Sequence, residues 1–199
     1  MIKIINLNES APYKKFNNFY INALNAKQKA VEAIAISSFN TSKREVESRF
    51  VNLKYINNEQ WIFFSNYNSQ KAHDFVNHDQ ISALLYWPEI NIQIRLKGII
   101  KKTDKFFSDK HFQNRSDSKN ALAISSDQSS PISSYDAIVK NYENTLNHPE
   151  NLSDRPAYWG GFSFTPYYFE FWEGHEFRLN KRDIYLRDND EWKNSILQP

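Results

Sequence analysis

The feature that most constrains the fold is a change of hydrophobic period near residue 28. Before it, Phe16, Phe19, Tyr20, Ala23 and Leu24 recur at helical spacing behind Ser10-Ala11-Pro12, where serine suits an N-cap and proline a first turn. A helix is therefore expected over about 11–28. After it the period changes, and 33–37, 49–55, 61–65, 81–87 and 92–98 read as short strands. Asn57-Asn58-Glu59 is the clearest hairpin turn, and Asn66 to Ser69 leads into a short helix from Gln70 to about Asn77. Short strands joined by polar turns suit a meander closing into a barrel.

The middle of the chain returns to helical spacing, from Thr103 to Phe112 and from a capping-box-like Ser133 to Asp136 through Leu146, with polar loops at 125–130 and 147–156. Strand patterns resume at 161–164, 167–172, 183–187 and 192–197, the last two across Asn189-Asp190. The expected organisation is one α+β domain over 1–199: helix about 11–28, barrel about 31–103, helical insert about 104–148 and C-terminal strands about 158–199.

Composition narrows the chemistry. With 40% hydrophobic and 16% aromatic residues the chain can bury a core, and a net charge of +2 leaves no surplus for a nucleic-acid backbone or an anionic membrane. The absence of cysteine excludes thiolate chemistry and fits a reducing compartment, and the apolar stretch before Asn6 is too short for a signal core or membrane span. A soluble, cytoplasmic protein is expected. Four glycines leave no P-loop and no G-x-G-x-x-G, so any bound phosphate must be held by side chains and a helix start. The five histidines contain no H-E-x-x-H, and no metal is expected.

Ser48-Arg-Phe-Val-Asn-Leu-Lys54 followed by Phe64-Ser-Asn-Tyr-Asn-Ser-Gln-Lys-Ala72 resembles the flavin-binding half of the pyridoxamine 5'-phosphate oxidase family. The likeness continues, in order, through Gln93, Asp127-Gln-Ser-Ser130, Tyr158-Trp-Gly-Gly-Phe162, Phe171 to Arg182 and the terminal Gln198-Pro199. It implies an antiparallel, Greek-key-like split β-barrel with peripheral helices, working as a homodimer with flavin mononucleotide (FMN) at the interface. It also implies oxidation of a CH–NH2 or CH–OH group of a phosphorylated pyridine to pyridoxal 5'-phosphate, with O2 as acceptor and hydrogen peroxide as product. Arg49, Phe50, Val51, Asn52, Leu53, Lys54, Phe64, Ser65, Gln70, Lys71, Gln93, Gln128, Ser129, Trp172 and Arg182 match flavin-contacting positions. Lys54, His111, Arg115, Ser118, Arg178 and Asn180 match substrate-binding positions, with Arg178 as the catalytic candidate that orients substrate.

The residues themselves admit plainer readings. Arg49 offers a planar fork and Lys71 a point charge for phosphate, but an exposed strand arginine and an ordinary Ser69 N-cap would look the same. Trp172 suits an aromatic core, Gln93 and Gln128 a solvated surface, and Arg178 an ion pair with Glu176 or Asp183. Alternation puts Arg49 and Lys54 on opposite faces unless a bulge or a strand end intervenes.

Several positions depart from the family pattern. Gln70 stands where arginine is common, His111 where tyrosine is usual and Asn180 where histidine is usual. Arg115 to Lys119 is one residue short of an Arg-Pro-x-x-Ser pattern, leaving the phosphate serine between Ser118 and a replacement by Lys119, and the N-terminal arm is short. These departures keep open a same-fold flavin oxidase with another substrate, of the phenazine-biosynthesis kind, and a non-catalytic flavin-binding protein.

Overall fold

A computed structural model describes residues 1–199. Its helices are α1 (Ala11–Asn25), α2 (Gln70–Asn77), α3 (Lys105–Gln113), α4 (Asp117–Ser125) and α5 (Tyr135–Leu146). The strands are β1 (Lys3–Leu7), β2 (Ala33–Asn40), β3 (Glu45–Asn52), β4 (Tyr55–Asn58), β5 (Gln60–Asn66), β6 (Gln80–Trp87), β7 (Ile92–Lys102), β8 (Trp159–Glu173), β9 (Lys181–Asp188) and β10 (Glu191–Leu197). They run in the order β1-β4-β5-β8-β7-β6-β2-β3, with β9 and β10 branching from β8. Only β1 and β4 pair in parallel; every other pairing is antiparallel.

The expected α+β class holds, with four local differences. The pattern over 49–55 is not one strand: β3 ends at Asn52 and β4 starts at Tyr55, so the backbone turns at Leu53-Lys54. The patterns at 161–164 and 167–172 fuse into the single strand β8, which runs through Pro166. A bulge makes this feasible, because Lys97 pairs with Tyr168 and Gly98 with Pro166, leaving Tyr167 as the extra residue. Gly98 permits the approach, since a Cβ there would lie 2.8 Å from the Thr165 carbonyl oxygen. The other two differences are added elements, β1 and α4.

The inward faces of the strands and the buried face of α1 meet in one aromatic core. Phe16 of α1 lies edge-on to Trp61 at 4.5 Å, and Phe169 contacts Tyr13, Trp61 and Trp192 at centroid distances of 5.1, 6.0 and 5.4 Å. Edge-to-face pairs of this kind add to the stabilisation from area burial alone. Helices α3 and α4 cover the far end of the sheet, where Phe112 and Ala121 are fully buried. Phe169→Ala should lower unfolding free energy by about 3–5 kcal/mol, the range for a large aromatic removed from a closed core. Urea denaturation checks it, and a loss under 1 kcal/mol would mean that this core can collapse around the gap.

Candidate active site

Between β3, β5, α2 and the α3–α4 region lies a cavity of about 920 Å³. The turn at Leu53-Lys54 explains how Arg49 and Lys54 reach it together: Lys54 sits beyond the end of β3, so strand alternation no longer governs it. Phe50, Val51 and Asn52 also line the cavity. Leu53 does not, for its side chain is fully buried in the core and its N–H donates to the Glu32 carbonyl at 2.9 Å. The side chain of Leu53 packs in the core and is not among the residues that line the cavity.

At one end, Arg49 and Lys71 converge. Lys71, the second residue of α2, is only 7% exposed, and its Nζ donates to Ser65 Oγ at 3.1 Å and Ser69 Oγ at 3.2 Å. No carboxylate pairs with it. Burial, and then the neighbouring Arg49, push its ammonium down to about 8. Ser69 is not an ordinary N-cap, because its hydroxyl donates to the Asn66 carbonyl at 2.7 Å and accepts from Lys71, leaving the first amides of α2 without a side-chain cap. Gln128 reaches over from the loop after α4, accepting from Ser65 Oγ at 3.0 Å and Asn66 N–H at 3.2 Å, and Ser129 follows it with φ 77°.

Arg49 is held from behind. Its Nη1 donates to Ser38 Oγ at 2.7 Å, and that hydroxyl donates to Asp74 Oδ2, also at 2.7 Å. The buried Asp74 further accepts from Asn40 Nδ2 at 2.9 Å and Gln70 Nε2 at 3.0 Å, and stands 4.0 Å from Arg49 Nη2. An arginine so tethered presents a fixed fork to the cavity. Ser38, Asn40 and Asp74 carry no sequence signal, since each is a lone polar residue in an otherwise regular element.

The other end is also cationic. Lys54, Arg115 and Lys119 line it together with His111, which stacks on Phe64 at 3.6 Å and 11°. Arg115 lies over the Trp159 ring at 4.3 Å, donates from Nη2 to the Lys119 carbonyl at 2.8 Å, and keeps Nη1 buried without a partner. Burial brings its guanidinium down to about 10. Ser118 stays outside, exposed and paired with Ser116 Oγ at 3.1 Å. Of Ser118 and Lys119, only Lys119 lines the cavity, because one helical position rotates Ser118 away.

Gln93, Trp172, Arg182, Arg178 and Asn180 do not line this cavity. The first three form a cross-strand row, Gln93 paired with Trp172 and Trp172 with Arg182, on the outer face of the sheet. Trp172 is half-buried there and is not a core residue. Beside the row, the buried carboxylate of Glu170 accepts from Arg182 Nη2 at 2.7 Å and from Arg95 Nη1 at 2.8 Å. Arg178 lies in the exposed β8–β9 loop with φ 59° and makes no ion pair, while Asp183 is taken by Lys15 and Lys181. Asn180 Oδ1 accepts from the His175 N–H at 3.0 Å and shapes that loop.

Over 194 residues the chain is 31% identical to pyridoxine/pyridoxamine 5'-phosphate oxidase 1 of Hydrogenovibrio crunogenus, a match that covers 96% of this chain and 89% of that one. The chain belongs to the pyridoxine/pyridoxamine 5'-phosphate oxidase family. The model of the family's C-terminal dimerisation region matches residues 159–199. Among solved structures, PhzG from Burkholderia lata 383 in complex with tetrahydrophenazine-1-carboxylic acid matches with TM-score 0.90 and 28% identity, covering 96% of this chain and 93% of that one. A pyridoxamine 5'-phosphate oxidase-related, FMN-binding protein from Nostoc punctiforme shares the fold, with TM-score 0.78 at 15% identity over 96% and 99% of the two chains. The architecture is the split barrel of this oxidase family.

The position of Lys71 carries a pH signature. Its proton leaves near pH 8 in the folded protein and near about 10.4 in an unfolded chain. Below pH 8 both states hold it and the cost of burial is constant; between the two values the unfolded chain binds more protons, so stability rises with pH. In flavin-free, phosphate-free protein, the stability of Lys71→Met relative to the unsubstituted chain should fall as pH rises from about 8 to about 10. Parallel pH profiles in urea denaturation would contradict the buried, unpaired ammonium.

Proposed function

We propose that the protein is an FMN-dependent oxidase that converts pyridoxine or pyridoxamine 5'-phosphate to pyridoxal 5'-phosphate, with O2 as acceptor and hydrogen peroxide as the second product. The observation that carries this reading is Lys71, a buried cation with only serine hydroxyls for partners, beside a tethered Arg49 at the start of α2. A cation so desolvated calls for an anion, and the open amides of a helix N-terminus add to the attraction. The donor set fits the phosphate of FMN. Arg49 would supply a charge-assisted fork and Lys71 a point charge, while Gln70, held by Asp74, supplies a donor without charge.

The second cationic end fits the phosphate of the substrate, held by Lys54, Arg115 and Lys119 with His111. Two anion sites in one cavity suit a phosphorylated cofactor and a phosphorylated substrate. When bound, flavin supplies the two-electron acceptor that dioxygen can reoxidise. The chain's residues then have to align the substrate and keep both phosphates apart, a positioning task.

The remaining flavin and substrate positions are accounted for by a second copy of the chain. Gln93, Trp172 and Arg182 form one outward face, and Arg178 projects from a loop whose Phe177 and Leu179 are 73% and 68% exposed. Beside the cavity, Phe50 and Val46 on the edge strand β3 are 76% and 70% exposed. Exposed apolar groups on both regions suit a homodimer that brings Arg178 of one copy to the cavity of the other. In this arrangement Arg178 orients substrate, and Glu170 fixes the Arg182 guanidinium.

A second reading, a same-fold flavin oxidase acting on a carboxylated ring system, is supported by the likeness to PhzG and by His111 and Asn180 at the substrate positions. Anaerobic mixing with pyridoxine 5'-phosphate separates the two. Bleaching of the flavin absorbance is expected; a fully flavin-loaded protein that keeps its colour would favour the second reading. Arg49→Ala and Lys71→Ala should each weaken FMN binding by about 1.5–3 kcal/mol, the range for a hydrogen bond to a charged group. Fluorescence titration of flavin-free protein measures this, and unchanged affinity in both variants would remove the phosphate from this end of the cavity.

A further inference from the structure

His111 lines the substrate end of the cavity, yet its ring is held by a residue that does not. Tyr55, the first residue of β4, places its hydroxyl 2.8 Å from His111 Nδ1. The phenol ring packs edge-on against Phe107 at 5.3 Å, Phe64 at 6.2 Å and the imidazole at 5.4 Å, so its direction is fixed. The imidazole in turn lies flat on Phe64. Burial raises the Tyr55 phenol above its ordinary range, so the hydroxyl keeps its proton, and Nδ1 is the one acceptor the chain offers it. A hydroxyl that donates to Nδ1 leaves the imidazole proton on Nε2, which bonds no protein group.

The charges that act on the ring are Arg115 and Lys119 from the α3–α4 side and Lys54 from the turn before β4, all cations, while Glu32 on the cavity wall is paired with the N-terminal ammonium at 2.9 Å. Burial first, and then Arg115, Lys54 and Lys119, bring the imidazole down to about 4. A fourth positive charge is thereby avoided among three cations, and the ring remains a neutral donor.

We propose that Tyr55 is a positioning residue that locks His111 as its neutral Nε2–H tautomer, so that the pair supplies one uncharged hydrogen-bond donor to the phosphate of the substrate. The donor role rests on the substrate reading given above; the tautomer does not. Together the two side chains do the work of a single hydroxyl donor placed at the position of His111, with the phenol set one layer back.

The test is ¹⁵N–¹H correlation of the imidazole nitrogens in the flavin-loaded, full-length protein, with His111 assigned by its loss in His111→Gln. The expected spectrum shows Nε2 protonated and Nδ1 bare, unchanged from pH 5.5 to about 8.5. An Nδ1–H tautomer, or a titration midpoint inside that range, would overturn the proposal. In Tyr55→Phe, His111 should lose its single tautomer, and affinity for pyridoxine 5'-phosphate should fall about 3- to 10-fold, the loss of one neutral hydrogen bond, while FMN affinity stays unchanged. Equal affinity in Tyr55→Phe and the unsubstituted protein would overturn the donor role. The expected tautomer in a protein that does not bind pyridoxine 5'-phosphate would overturn the substrate reading and the donor role with it. The wrong tautomer in a protein that does bind it would overturn the pair alone.

Discussion

Strand β8 joins the two arms of the sheet and the C-terminal pair β9–β10. One edge pairs with β7 along nearly its whole length, and the other is divided, its first half joined to β5 and its second to β9. A strand with neighbours on both edges cannot slip without turning its core residues outward. Phe162, Phe164, Phe169 and Phe171 therefore stay in the core. The same strand begins at Trp159, under Arg115, and carries Trp172 beside Arg182 one residue before its end, so the cavity and the outward row of Gln93, Trp172 and Arg182 lie at opposite ends of one element. Their separation within a single chain follows from the length of β8.

Charge in the cavity is arranged by depth. Asp74 is the buried counter-charge behind Arg49, acting mainly through Ser38 and at 4.0 Å directly, while Lys71 has none. With glutamine at position 70, the cofactor end carries two cations, one buried carboxylate set behind them and the carboxylate of Glu47 on the cavity wall. Glu170 plays the matching part on the other face, where Arg182 and Arg95 share it. In both places a buried carboxylate fixes an arginine, a means of preorganisation, and the Arg182 Nη1 is held as well by the Gln198 carbonyl at 3.0 Å.

Much of the fold was legible because the period of the sequence changes where the structure does. The helices α1 and α2 and the strands β2, β5, β6 and β7 fall where the apolar runs, the change of period and the turn residues put them. Pro166 concealed the continuity of β8, since proline argues against a strand interior unless a bulge frees its position. The break at Leu53-Lys54 was hidden by an apolar leucine that continues the alternation but belongs to the core. The isolated strand β1 was too short to show a pattern, and it exists through its parallel pairing with β4. Of the candidate site, the residues on β3, β5 and α2 could be read from motif and spacing. Asp74 and Tyr55 could not, because their importance lies in which side chain stands behind which, and that is set by packing across elements.

The central claim is that Arg49 and Lys71 form the phosphate site for FMN at one end of a cavity whose other end takes a second phosphate. A crystal structure of the protein grown with FMN and pyridoxal 5'-phosphate tests it most directly. The expected result places the flavin phosphate on Arg49 and Lys71 and the pyridoxal phosphate on Lys54, Arg115 and Lys119. Flavin bound with its phosphate at the Arg115 end, or no flavin in the cavity, would contradict it.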